Sequence, residues 1–254
     1  MRTKLLTFII GIIGTFSLYS QTSQKTSYIL DKNYFQSIGA EFVPTGGYTD
    51  PSGKTISVQA FFMTNEITNK EYREFVDYVV SHPDSSLYYF DRKKEGVFFK
   101  KQVRFSHIRK DLVDSSAMAK KYPSGSDLNT KYKNYFTDKH YDDYPVVGVS
   151  PDAAECYCIW RTRLENETLK KKGKGLINDF RVPMKEEFEY AQSFSKPLQK
   201  KSETEGDKSK SGKPDRLGIY NLYNNVDEWT SPMENVVAST GLVGFRMVST
   251  FLGK

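Results

Sequence analysis

The chain has 254 residues, enough to bury one sizeable core, and nothing in its composition points to two. Its formal charge of +6 includes Arg2 and Lys4; a leader carrying these away would leave 35 of the 37 basic residues against 31 acidic ones, evenly mixed, a balance too mild to argue for a nucleic-acid partner. Aromatic residues at 14%, with 17 Gly and 10 Pro, suit a loop-rich α+β domain better than a helix bundle.

Met1–Ser20 reads as a secretory signal, with a basic start, the apolar run LLTFIIGIIGTFSL and then small or polar residues before Gln21. That run is shorter than a membrane span needs and is broken by Thr and Gly. Cleavage after Ser20 is expected, giving an exported, periplasmic chain. No Cys near that point offers a lipid attachment, so contact with the outer membrane would be indirect. Residues 21–36 read as a flexible lead-in, and 37–254 as a single domain. Phe42–Tyr48 supplies a short strand and a Gly46-Gly47 turn, and the alternation of Ile56, Val58 and Ala60 predicts a second strand over Ile56–Met63. Thr68-Asn69-Lys70-Glu71 is a capping box flanked by Ile67 and Tyr72 as a hydrophobic staple. Tyr72, Phe75, Val76 and Val79 follow at helical spacing and are core residues.

Ser81–Tyr141 is an irregular insertion, with turn signals at His82-Pro83-Asp84 and Pro123-Ser124-Gly125, short strands and a helix around Asp111–Lys121. Its histidines, His82, His107 and His140, are isolated, which suits surface or hydrogen-bonded side chains rather than ligands. Lys100, Lys101, Arg104, Arg109 and Lys110 lie among aromatics as a solvated basic face or a partner surface. Tyr144–Val149 predicts a buried strand. Ser150 and Pro151 then start a second helix as N-cap and first helical residue, burying Ala153, Ala154, Tyr157 and Cys158. The two cysteines, Cys156 and Cys158, point roughly 200° apart on that helix, which excludes a mutual disulfide, and their spacing is not a zinc signature. Pro183 precedes a third helix bearing Met184, Phe188 and Ala191 on one face. After Leu198 the stretch Lys196–Arg216 has no large apolar residue and reads as a mobile loop.

Leu217–Thr230, LGIYNLYNNVDEWT, is the densest signal in the chain. Five large apolar or aromatic residues precede Asn224-Asn225, a pair suited to a left-handed turn. A bend there would gather oxygens from Asn221, Asn224, Val226 and Glu228 on one side, either as a calcium site or as a hydrogen-bonded turn with no ion.

The same stretch resembles the "GLYDMxGNVWEW" signature of the formylglycine-generating-enzyme/sulfatase-modifying-factor family. GAEFVPTGGY (Gly39–Tyr48), FFMTNEITNKEYREFV (Phe61–Val76), YPVVGVSPDAAECYCIW (Tyr144–Trp160), FRVPMKEEFEYA (Phe180–Ala191) and GFRMV (Gly244–Val248) resemble five further family motifs, in family order. Tyr141–Trp160 with the following RTRLEN is most similar to the gliding-motility and type IX secretion lipoproteins GldJ and GldK. The resemblance implies an α+β, C-type-lectin-like fold with short strands and about three helices. It also places calcium ligands on Asn221, Asn224, Val226 and Glu228.

Active relatives hold copper through a cysteine pair after an "RGGSW"-like strand. Only Ser231–Val243 separates the signature from Gly244-Phe245-Arg246 here, and it contains no Cys, so copper is not expected; iron-binding relatives use a His cluster, which three scattered His do not supply, so iron is not expected either. No nucleophile elbow, P-loop or GxGxxG is present. Asp142-Asp143 and Glu186-Glu187 are adjacent residues, which point apart more often than they converge. The expectation is a non-catalytic scaffold that binds other envelope or secretion-machinery proteins. The alternatives are a glycan-binding module and, more remotely, a residual metal-dependent oxidase.

Overall fold

Phe61-Phe62-Met63-Thr64 is buried along its whole length, and its side chains alternate between two cores. Phe62 faces one core; Phe61 and Met63 face the other. A strand apolar on both faces belongs in the middle of a covered sheet. The computed structural model describes residues 31–92, 98–195, 207–223, 225–231, 234–235 and 242–253. The expected leader, most of the lead-in and residues 196–206 of the expected mobile loop lie outside these.

The described elements in chain order are α1 (Lys32–Ser37), β1 (Ala40–Val43), β2 (Gly46–Thr49), β3 (Thr55–Val58), β4 (Phe61–Thr64), α2 (Asn69–Ser81), β5 (Ser86–Arg92), β6 (Phe98–Arg104), α3 (Phe105–Ile108), α4 (Ala117–Lys120) and α5 (Asp127–Lys131). A 3₁₀ turn (Lys139–Tyr141), α6 (Pro151–Lys171), β7 (Phe180–Arg181), α7 (Lys185–Ser195), β8 (Asp227–Thr230), β9 (Glu234–Asn235), β10 (Val243–Gly244) and β11 (Val248–Thr250) follow. The main sheet is antiparallel, in the order β1-β4-β11-β7. Thus the last strand lies beside β4 in the middle of the sheet, with β1 and β7 at its edges. A smaller sheet, β10-β8-β9, pairs β10 with β8 in parallel. Three helices are long, as expected, and the others have four to six residues.

Helices α2 and α6 cover one face of the sheet. Thr68 Oγ1 accepts from the Glu71 N–H, and the Glu71 carboxylate accepts from the Thr68 N–H, so the expected capping box is complete. Tyr72 stacks on Tyr157 with ring centroids 5.5 Å apart. On α6, Ser150 caps and Pro151 opens the helix; Cys156 and Trp160 join the expected residues inside. The other face is covered by α7 and the segment carrying Ile219 and Leu222. A third core, Met118, Tyr132, Tyr135, Tyr141 and Val147, is built within and beside the insertion and reaches Val226.

Five sequence expectations need correction, the first being the single strand over Ile56–Met63, which is two strands, β3 and β4, in separate sheets. The lead-in becomes a helix at its end, because Phe35 stacks on Phe62 at 3.7 Å and is buried. Gly46-Gly47 is strand, not turn: a Cβ on Gly46 would lie 2.1 Å from the Tyr190 hydroxyl, and one on Gly47 2.7 Å from the Ile56 carbonyl. The reversal comes later, where Asp50 accepts from the N–H groups of Ser52 and Lys54. Tyr144–Val149 is buried but irregular, with Gly148 at φ 76 and successive polar groups bonded to Ile67, Asn69 and Val243 rather than to one partner strand. Met184 is 41% exposed, so it does not share the buried face of Phe188 and Ala191.

Candidate functional site

A buried polar centre lies where the end of β4, the signature turn, β8 and the residues after β10 meet. Glu66, an acid in the otherwise buried run between Met63 and Ile67, is 2% exposed. Its Oε2 accepts from Asn221 Nδ2 at 3.1 Å and Asn225 Nδ2 at 2.9 Å. Both Asn are left-handed, at φ 54 and 86, and both are buried. Asn tolerates that region because its short side chain bonds locally. Here the side chains hold the strap Asp207–Ser209: Asn221 donates to the Lys208 and Ser209 carbonyls, while Asn225 exchanges hydrogen bonds with Asp207. Ser209 also donates from Oγ to the Glu66 carbonyl at 2.6 Å. This part of the expected mobile loop is therefore fixed. Asp215 accepts from Leu217 N–H and Ile219 N–H, and Asn65 from Tyr220 N–H, setting the entry to the turn.

Arg246 is fully buried beside this turn. Its Nε and Nη2 each lie 2.6 Å from one Glu228 oxygen, a two-pronged ion pair with both side chains at 0% exposure. The remaining N–H groups reach the carbonyls of Thr64, Tyr220 and Asn221 at 3.3–3.4 Å. Burial acts to depress the Arg246 pKa, but Glu228, with help from Glu66 and Asp215, outweighs it and keeps the guanidinium charged. Glu66 is pushed well above the carboxylate range, first by burial and then by Glu228, against Arg246 and the two amides. The guanidinium thus bonds Glu228 directly and acts on Glu66 only through space.

The four expected calcium ligands are placed as follows. Asn221 turns its amide nitrogen to Glu66 and the strap, and gives its carbonyl to Arg246. Asn224 lies outside the described residues. Val226 is buried in the insertion core. Glu228 has both oxygens on Arg246. A calcium ion takes six to eight oxygens at roughly 2.3–2.6 Å, and placing one against Glu228 would set it beside a buried guanidinium.

Among the described residues no group of three or more His, Cys, Asp or Glu side chains could hold a metal. Asp142 pairs with Arg73 and Glu187 with Arg181, while Asp143 faces Lys208 at 3.5 Å, so the adjacent acids point apart. His82 stacks on Tyr78 at 4.2 Å. Glu66 and Arg246 were missed as members of this centre, although each lies in a family-like motif. The signal for Glu66 was a carboxyl among residues that all had to be buried.

The chain matches the sulfatase-modifying factor enzyme 1-like domain over residues 31–249 and belongs to that family. Its fold is the family's α+β fold with short strands. A solved structure titled "Crystal Structure of CarF" is similar at 13% identity and a TM-score of 0.43, covering 83% of this chain and 97% of that one. No curated protein matches the chain. Among the described residues no helix is long and apolar enough to cross a membrane.

Proposed function

We propose that the chain is a non-catalytic, exported scaffold of the cell envelope, a component of or accessory to the gliding-motility and type IX secretion machinery. The observation that carries this reading is the fate of sulfur. The sequence has two cysteines, and both are buried in the α6 core at 3% and 1% exposure. Burial, then Glu155 and Cys156, pushes the Cys158 thiol well above its ordinary pKa. That environment is the opposite of what an activated thiolate or a copper ligand requires. Fold alone does not give function, so the partner class rests on the resemblance of Tyr141–Trp160 to the secretion lipoproteins. The insertion is the contact surface in this reading, with Leu87 and Phe105 anchoring the β5–β6 hairpin and Tyr88 54% exposed.

Affinity capture from envelope extract tests it. Motility or secretion proteins should bind the wild type and be lost with Tyr88→Glu. Stoichiometric copper or iron, or turnover of a thiol substrate, would overturn it. A glycan-binding role is the second reading, favoured by the stacked pairs Tyr122–Tyr132 and His140–Tyr144, with centroids 5.6 and 6.4 Å apart. A glycan-array signal abolished by Tyr122→Ala would put that reading first.

A further inference from the structure

We infer that Arg246 is the built-in cation of the signature turn, so that the turn closes without calcium. A turn of this kind gathers oxygens that need a positive centre. Here Glu228 Oε1 and Oε2 and the carbonyls of Thr64, Tyr220 and Asn221 all converge on the guanidinium. Those five acceptors match the five N–H donors that an arginine carries. The guanidinium arrives with its own chain segment, next to β10, and costs no ligand concentration to fill. It also brings together three stretches distant in sequence: the end of β4, the turn and β8.

The charge count agrees. Glu228 and Arg246 cancel, and neither is exposed. A divalent ion set against Glu228 would meet the Arg246 guanidinium at close range, beneath the Asp207–Ser209 strap that holds Asn221 and Asn225. Glu66, the carboxyl that faces the turn's two left-handed Asn, has its Oε2 held by their amides. Nor is the Asn221 side chain free to turn over, since its amide nitrogen faces three acceptors.

Thermal unfolding of the full chain in calcium and in chelator decides the matter. At about 5 mM calcium, above the 10⁻⁴–10⁻³ M range of weak extracellular sites, the wild-type Tm should equal that in EGTA within a degree. Equilibrium dialysis should find less than a tenth of an ion per chain. Glu228→Gln should lower Tm by the same amount in both buffers. A calcium-induced rise in wild-type Tm, stoichiometric bound calcium, or a Glu228→Gln loss confined to the calcium buffer would each overturn the assignment. The wild-type measurement needs no variant to fold.

Discussion

Asn221 donates to the Glu66 carboxyl at 3.1 Å across 155 positions of sequence. Asn225 donates to the same oxygen, so one buried acid ties the segment after β4 to the C-terminal turn. Burial and then Glu228 raise the Glu66 pKa, against Arg246 and the amides. A folded-state pKa above the unfolded one means that the native state holds the proton more tightly. The stabilisation is complete below the unfolded value of about 4.3 and is lost as pH rises through the folded one. Between those values the group should contribute a fall of up to about 1.4 kcal/mol per pH unit. Glu66→Gln keeps an oxygen for the two amides and cannot ionise, so urea titrations across pH should show this slope removed. A slope unchanged in the variant would mean that another group is responsible.

Arg246→Met should be strongly destabilising. It leaves Glu228 buried at 0% exposure with no counter-charge. Losing one partner of a buried pair costs about 3–5 kcal/mol, whereas removing both charges costs less. Urea unfolding should therefore place the Arg246→Met/Glu228→Gln double variant above Arg246→Met alone. The reverse order would show that the two side chains are not coupled.

Helix α2 gives a smaller and cleaner number. Thr68 Oγ1 accepts from the Glu71 N–H and donates to its carboxylate at 2.8 Å, so Thr68→Ala should cost about 1 kcal/mol. Thr68→Ser should recover most of it, read as a shift in urea midpoint at unchanged slope.

That cap was legible from four letters because its partners lie three residues apart, and the same holds for Ser150 and Pro151 at the start of α6. Gly46 was misread for the opposite reason. Its need for a missing Cβ is set by Tyr190, more than a hundred residues away, while locally a Gly pair looks like a turn. Phe35 likewise becomes helical through Phe62, which a polar lead-in gave no hint of. The signature turn was visible as a cluster of Asn and acids. What neutralises it was not, because Arg246 reaches Glu228 only after the final strands fold back beside β4.

Cys156 and Cys158 should not react with a thiol reagent in the native state. Both are buried, and Cys158 is shifted towards the unreactive thiol by burial and nearby Glu155. With Ellman's reagent, labelling should wait for unfolding and then yield two thiols per chain, consistent with two free cysteines. Fast labelling of either one in buffer would place a reactive thiol where the core is drawn.

Helix α7 offers a change that should stabilise. The Glu187 carboxylate already reaches back to the Met184 N–H at 2.8 Å while also holding Arg181 through both oxygens. This is half of a capping box; the missing half is a side-chain oxygen at 184 to accept from the Glu187 N–H. Met184 is 41% exposed, so replacing it leaves little cavity. Met184→Thr should therefore raise stability by about 1 kcal/mol, the usual worth of an N-cap. Met184→Ala provides the control, because it removes the same apolar surface without supplying an acceptor. Thr above Ala by that margin in urea midpoint would establish the cap, and equal midpoints would show that Glu187 is committed to Arg181 and the helix start gains nothing from the hydroxyl.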